Sequence, residues 1–191
     1  MLYLITGASG SGKSEYAERL ACDLAREDKV RYKLYVATME SQSRQAKERI
    51  ARHKAQREGK GFVTVESLYG LPFSGAEKES PWGKYPLADS VILLECLSNL
   101  LANLMFSGGM NGEQAAARIF SQAQRARRLC RHLVIVTNEI FSDGLQYARE
   151  TQDYVRALGM TNRLLAGEAD GFWEVVYSVP LCLKGDKLWQ F

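Results

Sequence analysis

The chain has 191 residues, 46% of them hydrophobic and 25% charged, a globular composition that argues against disorder and gives ample length for a sizeable core in one domain. Lys plus Arg is 25 and Asp plus Glu is 22; a surplus of +3 predicts neither a nucleic-acid coat nor a membrane-surface protein. Four dispersed cysteines, two histidines and no C-x-x-C give no zinc spacing and no disulfide framework.

Leu2–Thr6 is a short apolar strand run without a basic leader, and Lys13 and Glu15 interrupt any signal-peptide core. Tyr16, Ala17, Leu20, Ala21 and Leu24 recur at three- and four-residue spacing, so residues 13–27 read as an amphipathic helix with Glu15, Glu18, Arg19, Asp23 and Arg26 between the apolar positions. A strand over Lys33–Thr38 precedes a basic helix from about Ser41 to Glu58, which Gly59 and Gly61 stop. Phe62–Glu66 alternates like a strand. Tyr69–Asp89 is rich in Gly, Pro and Ser and reads as a long loop, either a functional lid or an unstructured insertion. Ser90–Glu95 and Leu133–Thr137 are continuous apolar runs, the pattern of strands covered on both faces. Ala115, Ile119, Ala123, Ala126 and Cys130 mark a helix between them. A further helix covers about Thr151–Ala166, and Trp173–Lys184 supplies one or two closing antiparallel strands. The alternation predicts an α/β fold over residues 1–191, a mainly parallel sheet with helices on both faces. The longest apolar stretch, Val91 to Phe106, is broken by Glu95, Asn99 and Asn103, so the expectation is a cytoplasmic protein without membrane insertion.

Gly7-Ala8-Ser9-Gly10-Ser11-Gly12-Lys13-Ser14 fits G-x-x-x-x-G-K-[ST] in full, directly after a strand and opening a helix. Each fixed type has a reason. Phosphate oxygens sit against successive backbone N–H groups, which requires bare backbone where the chain wraps them. The following helix points its positive end at the same anion. Lys13 brings a mobile cation to the terminal phosphates, and the Ser14 hydroxyl can ligate Mg²⁺. The motif predicts nucleoside triphosphate binding. Val91–Glu95 ends an apolar strand in a carboxylate, which faces either the crevice, where it would hold Mg²⁺, or merely the end of a buried strand. Asn138-Glu139 occupies an equivalent strand end.

Residues 44–60 carry Arg44, Lys47, Arg49, Arg52, Lys54, Arg57 and Lys60 against Glu48 and Glu58, a local charge of +5. A solvated helix face is the plain reading. His53, however, falls in line with Ala46 and Ile50 on the inward stripe, with Arg49 and Arg57 one turn to either side. It is either a hydrogen-bonded core residue or a nucleophile, because cationic neighbours favour neutral imidazole and neutral imidazole attacks phosphorus. His132, beside Arg131, reads as structural or solvent-facing. Asn162, in line with Val155, Leu158 and Leu165, is either a satisfied buried amide or a functional one.

These segments together resemble the bifunctional adenosylcobinamide kinase/adenosylcobinamide-phosphate guanylyltransferases of cobalamin biosynthesis. The resemblance rests on Gly7–Ser14, Tyr35-Val36-Ala37-Thr38, Arg49-Ile50-Ala51-Arg52-His53-Lys54 with Arg57, Val63-Thr64-Val65-Glu66, Ile92–Cys96 and Val134–Glu139. It implies a P-loop fold in which His53 becomes guanylylated and Lys13 assists. It also implies nucleotide binding by Gly7, Ala8, Ser9, Gly10, Ser11, Gly12, Lys13, Ser14, Thr38, Met39, Glu40, Lys54, Arg57, Glu66 and Glu95. Ser14 and Glu95 would hold Mg²⁺. The implied substrates are ATP or GTP, adenosylcobinamide and its phosphate, and the implied assembly is a homotrimer. The chain departs from the family pattern at Ile140–Gln146 and at Val155-Arg156. Two other readings fit the phosphate loop: a kinase of another small alcohol, and a nucleotide-binding regulatory module without an acceptor site.

Overall fold

The computed structural model describes residues 1–40, 44–71, 84–141 and 147–185. Seven strands form one sheet: β1 (Leu2–Thr6), β2 (Tyr32–Ala37), β3 (Phe62–Glu66), β4 (Ser90–Glu95), β5 (His132–Val136), β6 (Gly171–Val176) and β7 (Val179–Lys184). Their spatial order is β3-β2-β4-β5-β1-β6-β7. The first six run parallel and only β7 is antiparallel, paired with β6. The closing segment is therefore two strands of which one is antiparallel. Tyr177 and Ser178, both at positive φ, make the tight turn between them.

The continuous apolar runs lie where both faces are covered. Residues of β1, β4 and β5 such as Leu4, Ile92 and Val134 are fully buried. On one face α1 (Lys13–Glu27) packs Tyr16, Ala17, Leu20, Ala21 and Leu24 against Ile5, Leu93, Val136 and Trp173. On the other, α3 (Leu97–Ala102), α4 (Gly112–Leu129) and α5 (Arg149–Glu168) enclose Leu2, Leu4, Ile92, Leu94 and Ile135. Asn111 caps α4 by accepting from the Gln114 N–H, while the Gln114 side chain accepts from the Asn111 N–H, a reciprocal capping box. α3 runs on into a π-helical turn, Asn103–Ser107, so the apolar stretch from Val91 to Phe106 is a strand plus a helix, with Glu95 and Asn103 buried and Asn99 partly exposed.

Register positions the site. Ala37 lies opposite both Glu66 and Glu95, Glu95 opposite Val136, and Val136 opposite Ile5. The carboxyl ends of β3, β2, β4, β5 and β1 thus share one rim, and the phosphate loop leaves that rim from the end of β1. An open parallel sheet binds its ligands at such a rim. Along the rim above β2 and β4 lies α2 (Arg44–Arg57). Its expected start at Ser41 falls in 41–43, outside the described residues, as does 72–83 of the long loop. The ends of that loop are anchored: Leu71 is buried, Leu87–Asp89 forms a short 3-10 turn, and Tyr85 packs edge-on against Tyr32. No helix among the described residues is long and apolar enough to cross a membrane.

His132 is buried, not solvent-facing. Its Nε2 lies 2.9 Å from Asp28 Oδ2, and burial outweighs this contact in holding the ring's pKa below the ordinary histidine value. The four cysteines are free.

Candidate active site

Glycine backbone shapes the loop from Gly7 to Ser14. Gly12 sits at φ +91 immediately before α1, a conformation that L side chains resist. The Ser11 C=O accepts from the Ser178 N–H at 2.7 Å, so the β6–β7 turn clamps the loop from outside. Lys13 Nζ, nearly buried, donates to the Ala8 C=O at 3.0 Å. The loop thereby holds its own lysine folded back across it.

A cavity of about 910 Å³ opens beside this loop. Ser9–Ser14, Met39, Glu40, His53, Lys54, Arg57, Glu66 and Glu95 all line it. Three expected residues do not. The Gly7 C=O accepts from the Glu139 N–H at 3.1 Å, and the Ala8 C=O is engaged by Lys13 and by the Ser11 N–H. Thr38 is fully buried, its hydroxyl donating to the Cys96 C=O at 2.9 Å, so it braces the end of β2 against β4. Asn138 lines the cavity and donates to Ser98 Oγ at 2.6 Å, whereas the Glu139 carboxylate turns back to accept from the Phe141 N–H. Asn162 accepts from the Thr137 hydroxyl at 2.8 Å, the pattern of a satisfied amide.

Glu95 is at the centre of the polar groups. The Ser14 hydroxyl donates to its Oε1, and His53 Nδ1 stands 3.5 Å from the same oxygen. Its Oε2 is buried and accepts no hydrogen bond among the described residues. Burial raises its carboxyl above the ordinary carboxylate range, against the opposing pull of the Ser14 hydrogen bond and the charges of Arg57 and Lys13. An orphaned, buried oxygen next to a serine hydroxyl at the head of a phosphate loop suits a hard divalent cation: Ser14 and Glu95 offer oxygen donors, and Mg²⁺ takes one or two such protein ligands while keeping water and phosphate as the rest. The residues fit the ion.

Of the two arginines expected to flank His53, the structure describes the side chain of one. The side chain of Arg49 lies outside the described residues. Arg57 is buried, with its guanidinium carbon 3.4 Å from the centroid of the Tyr35 ring. Two carboxylates stand near the imidazole: Glu18, His53 and Glu95 each bring a donor atom within 4.8 Å of the others. The strand order places β4 beside β2, directly below α2, and so carries the Glu95 carboxylate under the ring. Helix periodicity along α2 contains no trace of this.

Glu18 and Tyr35 are functional candidates that the sequence pattern concealed. Glu18 read as part of the polar face of α1; the structure buries it completely. Its one available signal is its place four residues after Ser14, one helical turn along the same face. For Tyr35, an aromatic in the middle of β2, nothing in the sequence separates a core ring from a cavity wall.

A phosphate loop, a strand-end carboxylate and a mainly parallel sheet define the class: a P-loop nucleotide-binding α/β protein. The flagellar accessory protein FlaH of Methanocaldococcus jannaschii has a similar fold, with a TM-score of 0.51 at 14% identity over 97% of this chain and 78% of that one. Residues 3–183 match the model of the family described as cobinamide kinase/cobinamide phosphate guanyltransferase, and the chain belongs to that family. Among its relatives are the bifunctional adenosylcobalamin biosynthesis proteins CobU of Salmonella typhimurium, 30% identical, and of Escherichia coli, 29% identical; each alignment covers 96% of this chain and all of the relative. CobP of Pseudomonas aeruginosa, also titled a bifunctional adenosylcobalamin biosynthesis protein, is 26% identical over 97% of this chain and 98% of its own length.

Proposed function

We propose that this protein phosphorylates adenosylcobinamide with a nucleoside triphosphate, ATP or GTP, and then transfers GMP from GTP to the cobinamide phosphate through a guanylylated His53. Family membership supports the pair of reactions. The observation that carries the histidine's role is its place: the imidazole, on a helix that is otherwise mostly exposed, stands against the carboxylate that also takes the Ser14 hydroxyl. A nucleotide seated on the loop would bring its phosphates to that point.

In the first reaction the acceptor hydroxyl oxygen bonds the γ-phosphorus and loses its proton to solvent, the bond to the bridging oxygen breaks, and the nucleoside diphosphate leaves. Lys13, released from the Ala8 carbonyl, neutralises charge on the transferred group, and the loop N–H groups fix its direction. In the second, one imidazole nitrogen bonds the α-phosphorus of GTP and pyrophosphate departs. The phosphate of the cobinamide acceptor then attacks the same phosphorus, the P–N bond breaks, and the ring recovers its electron pair. Glu95 beside Nδ1 orients the ring for attack through Nε2. Mg²⁺, when bound at Ser14 and Glu95, screens the phosphate charges and orients them. Met39, Glu40, Lys54, Arg57 and Glu66 also line the cavity and are assigned to the nucleotide's base, sugar and outer phosphates. The assembly is taken to be a homotrimer on the family resemblance.

Intact-protein mass spectrometry after mixing with Mg²⁺ and GTP tests the reading. The expected result is a GMP adduct that disappears in His53→Ala and is discharged by cobinamide phosphate. Phosphorylation of the acceptor without any adduct would support a kinase alone; GTP binding with neither reaction would support a regulatory module.

A further inference from the structure

The chemistry above leaves Glu18 without a task, although burying a carboxylate completely is costly unless it is paired. Its Oε2 is 2.6 Å from Lys60 Nζ, and its Oε1 accepts no hydrogen bond among the described residues. Lys60 follows α2 by three residues and is tied to it, the Lys60 N–H donating to the Arg57 C=O at 3.0 Å. Among the described side chains of α2, only Ile50, His53 and Arg57 turn away from solvent. Of these three only Ile50 is aliphatic, so the described side chains of this 14-residue helix give it little apolar seat. Its carboxyl end is held by polar contacts instead: Arg57 laid on the Tyr35 ring, and Lys60 reaching past it to Glu18.

We propose that Glu18 and Lys60 form a latch that fixes where His53 stands, which makes Glu18 a positioning residue for the transferase step. The inference rests on the reading of His53 as the nucleophile. Buried ion pairs contribute little net stability, yet their geometry is demanding, and so they are better suited to specifying a position than to holding a fold together. Here the geometry is set from both sides. Glu18 is fixed on α1 one turn from Ser14, so the latch measures the distance of α2 from the phosphate loop itself.

Lys60 is about one-third exposed, which makes it the safer residue to alter. Single-turnover formation of the GMP adduct is followed by intact mass, beside the affinity for a non-hydrolysable GTP analogue. Lys60→Met is expected to slow adduct formation about 10-fold or more, since an ångström of misplacement at a reacting atom can cost that much and beyond. Analogue affinity, which draws on Lys54 and Arg57 of the same helix, should fall by much less than the rate, Lys60→Arg should recover most of the rate, and adding Glu18→Gln to Lys60→Met should slow it no further. Adduct formation at the wild-type rate in Lys60→Met overturns the latch. So does a loss of affinity equal to the loss of rate, or a failure of arginine to restore it. A wild-type chain that forms no adduct overturns the nucleophile reading, and the latch with it. Should Glu18→Gln fail to fold, the two Lys60 variants decide alone.

Discussion

Replacing Gly12 by alanine tests whether the phosphate loop is built as described. A Cβ there would stand 2.6 Å from Ser178 Oγ, 3.1 Å from Ser178 Cα and 3.2 Å from Ser178 Cβ, on a backbone at φ +91. Two costs add. Placing an L-residue in the left-handed region costs about 1–2 kcal/mol, and forcing an atom into filled space costs about 1–3 kcal/mol. Their sum, about 2–5 kcal/mol, corresponds to a fall in Tm of about 5–15 °C for a chain of this size. The two costs are separable, because the clash is with a hairpin tip and the strain is not. Ser178→Gly in the Gly12→Ala background removes the Oγ and Cβ contacts and leaves the 3.1 Å approach to Cα and the strained φ. Against a Ser178→Gly control, it should recover about 1–2 kcal/mol and no more, the clash component alone. Thermal unfolding of the four chains, followed by circular dichroism, measures this. A Gly12→Ala chain melting within about 2 °C of wild type would refute the geometry assigned to the loop and its clamp.

Two further outcomes follow from buried titratable groups. Burial lowers the pKa of His132 below its ordinary value, against the pull of Asp28 and with the N-terminal ammonium and Arg131 acting in the same direction as burial; the unfolded chain therefore takes up this proton first as pH falls. Through and below about pH 6.5 the unfolded state binds more protons, so stability falls with acidification, and His132→Phe should flatten that slope in urea titrations at stepped pH; an unchanged slope would sink the assignment. Burial also pushes the Cys130 thiol up to about 12 and raises that of the enclosed Cys96, so iodoacetamide at pH 8 should modify Cys22 and Cys182 well before either, as read by peptide mass spectrometry.

Much of the fold was legible because its signals are local. The phosphate-loop pattern fixes a strand, a turn and a helix start within eight residues. Ser90–Glu95 and Leu133–Thr137 advertise doubly covered strands by their unbroken apolar runs, Val91–Leu94 and Leu133–Val136. What stayed hidden depends on which strand lies beside which. Glu95 reaches His53 only because β4 is inserted between β2 and β5, and sequence order places the two residues far apart. Glu18 was misplaced for another reason. The apolar stripe of α1 faces the sheet, and the periodic pattern counts every polar residue off that stripe as solvent-facing; it cannot see that α2 and Lys60 cover the adjoining strip. Thr38 follows directly on β2, and its hydroxyl turns inward to the Cys96 carbonyl, a choice of rotamer that no residue pattern encodes.

The two halves of the site are built with different firmness, and the proposed chemistry inherits that difference. The phosphate loop, Ser14 and Glu95 rest on β1, β4 and α1, whose apolar residues are almost completely buried, so the triphosphate seat is held by the core. His53 rides on a helix whose described side chains seat it through an aliphatic residue and a guanidinium on a tyrosine ring, with an ion pair from Lys60 just beyond its end. Phosphoryl transfer to the cobinamide hydroxyl draws on α2 only through the nucleotide contacts assigned to Lys54 and Arg57, whereas nucleotidyl transfer also needs His53 in register. Substitutions that loosen the seat of α2 should therefore depress the second reaction more than the first, and substitutions in the loop should depress the two together. A variant at Tyr35 or Lys60 that lost both activities in equal measure, with folding intact, would mean that α2 acts on both transfers through the nucleotide alone, and the division between a rigid half and an adjustable half would have to be given up.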